Sequence, residues 1–595
     1  MAWYDEAVFY HIYPLGMTGA PKQNEYGEPV ERLNNILPWI SHIKKIGCNA
    51  IYIGPLFESV GHGYETTDYK KLDSRLGTND TLKNFVAECH AEGIKVIFDG
   101  VFNHTGRDFF AFKDLKENRE NSKYRDWYCN VNFWGNNSYN DGFSYDNWGG
   151  YDLLVKLNQR NPEVKNYICD VIRFWVNEFD VDGIRLDAAD VLDFDFMKDL
   201  RRVANEVKPE FWLMGEVIHG DYIRWANADT LHSVTNYHLH KALYSGYNDH
   251  NFFEIAHTVK RLNDMGGGLL KLYNFVDNHD VERIMSKLST PKGFVPVHIM
   301  LYTLPGVPSI YYGSEFGMEG KKGRGAEADA PLRPEMIYED WANADNAYTK
   351  LITLLGTVRQ QVKALSYGDY REQNLTTRQY TFSRSYEDTT VVVMVNNDDN
   401  ACMMYGGASD GTYVGVLSGR KVTVFGGNFS AEIDGNSGEI WIPTACEEVE
   451  IPATEQVVEI EVEEAIVEET VVEEIVVEKT VVEETVVEET EVEEIVVEET
   501  VAETIVEEAA AEESVAEEVA EVENEPEVSL MEEVAEEPTK ALDLNKPYEE
   551  MTIEELQAAI LAKMAKNGPV TDEMKRTIDV NTHQGSLLTW VRSFN

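Results

Sequence analysis

Cysteine is scarce. Six residues (Cys48, Cys89, Cys129, Cys169, Cys402 and Cys446) are scattered over 595 positions, with no CxxC pair and no Cys/His cluster. That spacing excludes a zinc site of the usual kind and a disulfide-stapled secreted scaffold. Long apolar runs are also missing, and none reaches the roughly 18 residues of a membrane span. The opening Met1-Ala2-Trp3-Tyr4-Asp5-Glu6 shows no basic stretch followed by an apolar one, so no signal peptide is expected and a cytoplasmic protein is. Basic residues are few, 52 against 105 acidic, for a net charge of -53. A polyanion repels phosphate backbones, which argues against a nucleic-acid partner.

What is present is unevenly distributed. From Glu447 to Glu537 there are 37 Glu against the single Lys479, a net of -36, which leaves -17 for the rest. This stretch is a degenerate Val-Val-Glu-Glu-Thr repeat. A period of five rotates about 140° per repeat on a helix and alternates faces on a strand, so neither element gains an apolar side. Neighbouring glutamates repel as well, and 446–540 is expected to be a disordered linker. The better-mixed 541–595 reads as a small helical segment: Thr552-Ile-Glu-Glu555 is a capping box, and Leu556, Ile560 and Met564 recur every fourth residue. With so little core of its own, the segment is expected to dock on a protein partner or on the rest of the chain.

The remainder, 43% hydrophobic over the whole chain, holds enough apolar residues for a large core. Short apolar runs at 7–14, 50–55, 95–99, 183–187, 211–216, 231–236, 270–277 and 308–313 alternate with amphipathic stretches such as 82–92 and 161–179. In the latter, Asn161-Pro162-Glu163 is a helix start, and Val164, Ile168, Val171, Ile172, Trp175 and Phe179 follow at helical spacing. Eight strands alternating with helices predict a TIM (β/α)8 barrel over 1–363. The long, Asn-, Gly-, Tyr- and Trp-rich excursion 105–151 after strand three predicts a small inserted domain. From 364 to 445 the helical pattern gives way to alternating runs and Gly/Asn/Asp turns, read as a β-sandwich.

Four segments fall where barrel strands end: Asp99-Gly-Val-Phe-Asn103-His104, Gly183-Ile-Arg185-Leu-Asp187, Gly215-Glu216-Val217 and Phe275-Val-Asp277-Asn278-His279-Asp280. Carboxylates at the C-terminal ends of barrel strands point into the active face. Glycoside hydrolysis with retention needs one carboxylate opposite the leaving oxygen and a proton donor beside it, about 5 Å apart. Asp187 and Glu216 suit these roles. Arg185, two residues before Asp187 on the same strand face, is expected to keep it ionised. Trp212, Met214 and Val217 are expected to wall Glu216 with apolar surface and hold its proton.

Together the segments resemble the four signature regions of glycoside hydrolase family 13, the α-amylase family, over about 4–443. The resemblance implies Asp187 as nucleophile, Glu216 as general acid/base and Asp280 as the third carboxylate, gripping ring hydroxyls. It implies Arg185, His104 and His279 as hydrogen-bonding partners of the same sugar, and Asp99 as a brace. Gly63-Tyr64-Glu-Thr-Thr-Asp68-Tyr69 resembles the segment whose tyrosine stacks on that sugar, with His62 beside it. Asp329 and Arg333 resemble a late loop touching the next sugar. Leu154-Val155-Lys156-Leu157-Asn158 resembles the MPKLN motif of neopullulanases and cyclomaltodextrinases, with Val155 replacing proline. The chain begins almost at strand one, without the N-terminal β-domain of those enzymes, so their domain-swapped dimer is not expected. After Asp187 stands Ala-Ala-Asp190-Val191 in place of the Lys-His pair of classical α-amylases. No cofactor is required by this pattern; calcium is left open, with Asn103 as its ligand.

The expectation is a retaining hydrolase of α-1,4-glucosidic bonds in maltodextrin- or starch-type glucans. A glucanotransferase or transglycosylase would use the same residues. A non-catalytic glucan-binding scaffold would be expected to lack one of the three carboxylates.

Overall fold

Eight short strands run parallel to one another: β1 Phe9–Ile12, β2 Ala50–Ile53, β3 Lys95–Gly100, β4 Gly183–Leu186, β5 Trp212–Gly215, β6 Ser233–Val234, β7 Tyr273–Asn274 and β8 Val307–Tyr311. The computed structural model describes residues 2–266, 270–325, 328–341 and 346–444. The acidic repeat (446–540) and the expected helical segment (541–595) lie outside the described residues. The sheet order is β6-β5-β4-β3-β2-β1-β8-β7, and a parallel bridge between Thr235 and Tyr273 joins its two edges. The eight expected strands are all present. β6 and β7 form two-residue ladders, shorter than the apolar runs that contain them.

Residues alternate between two cores, as the period of two requires. Phe9, Ala50, Tyr52, Ile97, Trp212, Met214 and Tyr273 fill the barrel interior. Their neighbours Tyr10, Ile51, Val96, Phe98 and Leu213 face the surrounding helices. The same alternation carried past the strand ends aims Asp99, Arg185, Asp187 and Glu216 at the mouth of the barrel.

The helices follow the expected signals. Pro162–Phe179 begins at Asn161, whose side chain accepts from the Glu163 N–H at 2.8 Å, and ends at Asp180 in a left-handed conformation. Its buried face includes Trp175, stacked on Phe57 at 4.4 Å and donating from Nε1 to the Tyr69 carbonyl at 2.7 Å. Among the described residues no helix is long and apolar enough to cross a membrane.

Between β3 and β4 the chain makes a small sheet of His104–Thr105, Asn147–Trp148 and Tyr151–Lys156, with a helix at Phe110–Asn118. The segment 154–158 therefore has a structural place: Lys156 pairs with His104 and Val155 with Thr105. After the barrel, six antiparallel strands and a separate two-stranded ladder enclose a second core of Val392, Met394, Phe429, Ile433 and Trp441. Val391, Val393, Val395 and Phe382 on the opposite face join the main core.

Candidate active site

Arg185 stands at the centre of the barrel mouth and is nearly inaccessible to solvent. Its Nη1 donates to Asp99 at 2.9 and 3.0 Å and to Asp187 Oδ1 at 2.9 Å. Its Nη2 lies 2.8 Å from Glu216 Oε2. One guanidinium thus serves three carboxylates contributed by three successive strands. Asp99 also accepts from the hydroxyls of Tyr52 at 2.8 Å and Tyr64 at 3.2 Å, which fixes it as the floor of the site.

Arg185 is not reserved for Asp187, as the sequence had suggested. Burial pushes the Asp187 carboxyl well above the ordinary range; Arg185 opposes this, and the neighbouring Glu216, Asp99 and Asp280 reinforce it. Burial also raises Glu216, again against Arg185 and with Asp280 adding to the rise. Two such carboxyls beside one cation titrate interdependently, each easing or opposing ionisation of the other.

The expected apolar wall of Glu216 is different from the one observed. Trp212 and Met214 lie deeper, in the barrel interior, where Trp212 stacks on Phe9 at 5.1 Å. Strand alternation places them below the mouth. Glu216 is touched instead by the Tyr237 hydroxyl, which donates to Oε1 at 3.4 Å, and by the Ala188 N–H, which donates to Oε2 at 3.1 Å. Ala188 achieves this from a left-handed backbone, φ 46° and ψ 42°, a conformation that costs a non-glycine residue energy and is concentrated at functional sites.

Asp280 faces this pair from the other side of the mouth. Its Oδ2 lies 3.0 Å from His279 Nε2 and its Oδ1 accepts from Arg333 Nη2 at 2.8 Å. Partial burial would raise this carboxyl, but His279, Arg333 and Arg185 hold it well below the usual range. Arg333 also donates to the His279 carbonyl at 3.0 Å and to Asp329 at 3.2 Å, and its guanidinium lies 4.6 Å from the Tyr13 ring centre. The His279 ring lies nearly parallel to those of Tyr64 and Tyr13, and its Nε2 bonds the Tyr64 hydroxyl.

These groups border a cleft of about 430 Å3, which His62, Tyr64, His104, Asp187, Glu216, Asp280, Asp329 and Arg333 all reach. His62 sits at the rim, half exposed, with Nε2 3.2 Å from Glu65. His104 is buried and neutral: burial drops its pKa to about 3. Both of its ring nitrogens are engaged, with the Tyr64 carbonyl at 3.1 Å and with Asn103 at 3.2 Å. Trp148, Leu154, Asp190, Ile218, Tyr237 and Lys322 also line the cleft and were not singled out as site residues. They come from the segments that follow five different barrel strands, and of the six only Leu154 falls within a motif read from the sequence.

Asn103 does not face the cleft. Its Oδ1 accepts from Gln159 at 3.3 Å and its carbonyl from the Leu157 N–H at 3.0 Å. Calcium takes six to eight oxygens, carboxylates prominent among them. No carboxylate bonds Asn103, and no group of three His, Cys, Asp or Glu among the described residues could hold a metal. The residues at Asn103 do not fit a calcium site.

Residues 23–361 match the family model for the alpha amylase catalytic domain. A cyclomaltodextrinase of Thermoanaerobacter pseudethanolicus is 32% identical over 421 residues, covering 66% of this chain and 71% of that enzyme. Neopullulanase 2 of Thermoactinomyces vulgaris is 30% identical over 456 residues, covering 71% and 74%. A solved cyclomaltodextrinase structure superposes with a TM-score of 0.65 at 27% identity, covering 74% of this chain and 78% of that one.

Proposed function

The chain belongs to the alpha-amylase family of glycoside hydrolases, and from that premise we propose that it cleaves α-1,4-glucosidic bonds of maltodextrin- and starch-type glucans by double displacement with retention. The observation that carries this reading is the Arg185 guanidinium bonded at once to Asp187 and Glu216. A single cation holding an oxygen of each keeps the two carboxyls close, which suits the separation of about 5 Å in retaining enzymes better than the roughly 6.5–9.5 Å of inverting ones.

In the first step an Asp187 oxygen attacks the anomeric carbon. The glycosidic C–O bond breaks on the opposite face, and the proton held by Glu216 goes to the leaving oxygen. Asp187 is then esterified and Glu216 ionised. In the second step a water attacks the same carbon, gives its proton to Glu216 and frees Asp187. Asp280, kept ionised by His279 and Arg333, accepts hydrogen bonds from ring hydroxyls, and Tyr64 offers a ring face to the apolar side of the sugar. The similarity to a cyclomaltodextrinase and a neopullulanase puts cyclic maltodextrins and pullulan among the glucans to test.

The test combines an Asp187→Asn variant with a product profile on starch, pullulan and cyclodextrin. Loss of nearly all turnover in the variant, with maltose- or glucose-sized products from the native enzyme, is expected. Full activity of Asp187→Asn would overturn the assignment. Excess maltose as acceptor separates hydrolysis from glucosyl transfer.

A further inference from the structure

His62 and Tyr64 stand on the loop Val60-Gly61-His62-Gly63-Tyr64-Glu65, between the antiparallel strands Phe57–Ser59 and Thr66–Leu72. Its two glycines make it costly to order, and Gly63 sits at φ 102°. The order is supplied by charged side chains at the base of the loop. Glu65 is buried and accepts the N–H groups of Gly61 at 3.3 Å, His62 at 3.4 Å and Gly63 at 3.2 Å.

The carbonyl side of the loop is held by Arg75, which is buried and does not line the cleft. Its Nη1 donates to the Gly61 carbonyl at 2.7 Å and to the carbonyls of Pro21 and Lys22 at 2.9 and 3.2 Å. Its Nη2 donates to Ser59 Oγ at 3.0 Å and to Asp73 Oδ2 at 2.8 Å, and its Nε to Asp73 Oδ1 at 2.8 Å. Asp73 grips the guanidinium with both oxygens and also accepts from the Ser59 N–H at 3.2 Å and hydroxyl at 3.0 Å. One side chain thus ties together the stretches 21–22, 59–61 and 73.

From this anchor the path to the cleft is short. Gly61 precedes His62, which reaches the cleft and whose carbonyl accepts the Tyr13 hydroxyl at 2.6 Å. Tyr64 follows, with its hydroxyl on Asp99 and His279. A guanidinium is planar and carries five N–H donors in fixed directions, so it sets where the carbonyls stand relative to the carboxylate; a lysine ammonium is a point charge and does not. Shifting the Gly61 anchor shifts the rings next to it, and a misplacement on the order of 1 Å at a substrate-positioning group can cost about 10²-fold.

We propose that Arg75 is a positioning residue for sugar binding: by holding the Gly61 carbonyl it sets His62 and Tyr64 against the sugar beside Asp280. It acts through those two rings and touches no substrate itself. The proposal rests on the cleft being an α-glucan site.

The experiment is a double-mutant cycle on the full chain, with Arg75→Ala, Tyr64→Ala and the pair, read as kcat and KM on maltotriose. Arg75→Ala is expected to lower kcat/KM by about 10- to 100-fold, mostly through KM. Added to Tyr64→Ala it is expected to cost no more than about twofold further, because the ring through which it acts is already gone. Arg75→Lys keeps a cation beside Asp73 and with it the fold, so the same cycle is run with it in case Arg75→Ala does not fold. Its loss is expected to be smaller, again in KM and again absent beside Tyr64→Ala. A loss confined to kcat with KM unchanged, as a smaller folded fraction would give, would overturn the proposal. So would losses that multiply in full in the double variants, or native kinetics in Arg75→Ala. A native enzyme that does not cleave maltotriose, cyclodextrin or starch would bring down the α-glucan reading and the proposal with it.

Discussion

Asp187 accepts a hydrogen bond from one terminal nitrogen of the Arg185 guanidinium at 2.9 Å, and Glu216 forms an ion pair with the other at 2.8 Å. Burial raises both carboxyls and the shared cation compensates only in part, so the two titrate interdependently.

The pH profile follows from this. Activity requires the proton on Glu216, and loss of that proton abolishes the acid role. Since its pKa is raised, the alkaline limb of kcat/KM is expected above the ordinary glutamate value of about 4.3. Glu216→Gln should erase that limb and lower kcat/KM on maltotriose by about 10²–10⁴. Initial rates across pH for both proteins check it.

Arg333 keeps Asp280 ionised. Arg333→Ala removes a charged hydrogen bond worth about 1.5–3 kcal/mol, so kcat/KM should fall by about 10- to 150-fold. Arg333→Lys should recover part of the loss, and an unchanged kcat/KM in Arg333→Ala would contradict the role.

Stability should weaken on mild acidification. His104, His240 and His298 are buried, and burial lowers their pKa values to about 3, about 3 and about 4. Unfolded histidine titrates near 6.5, so below that pH the unfolded chain binds protons that the folded one does not. Each site should cost up to about 1.4 kcal/mol per pH unit between about 6.5 and its folded value. Denaturant midpoints at pH 7, 6 and 5 should decline progressively, and a His298→Gln variant should show a shallower decline.

Chelation should leave the enzyme unaffected. Asn103 is bonded to Gln159, His104 and Leu157 with no carboxylate among its partners. Activity and thermal midpoint after treatment with a calcium chelator should match those before it; a drop in either, restored by calcium, would contradict this.

The barrel was legible because each strand is a short apolar run and each helix carries a cap and a periodic face, as at Asn161–Phe179. The acidic and basic residues of the cleft were legible because they sit within a few positions of strand ends. Electrostatic detail was not. Sequence places Arg185 near Asp187 but does not show that it also serves Asp99 and Glu216, contacts that exist only once three strands lie side by side. Trp212 was expected beside Glu216 from proximity in sequence, yet the pleat sends it deeper into the barrel. Trp148 reaches the cleft from a two-residue strand of the insertion and Tyr237 from the start of a helix, where neither period nor spacing marks an aromatic as a lining residue.

The central claim is that Asp187 forms the covalent intermediate. The direct measurement is inactivation of the full chain by a slowly hydrolysed fluorinated α-glucosyl fluoride, followed by mass spectrometry of the digested protein. The account predicts a single glucosyl label on Asp187, its accumulation slowed by maltose in competition. A label on Asp280, Glu216 or any other residue, or inactivation with no covalent label, would contradict it.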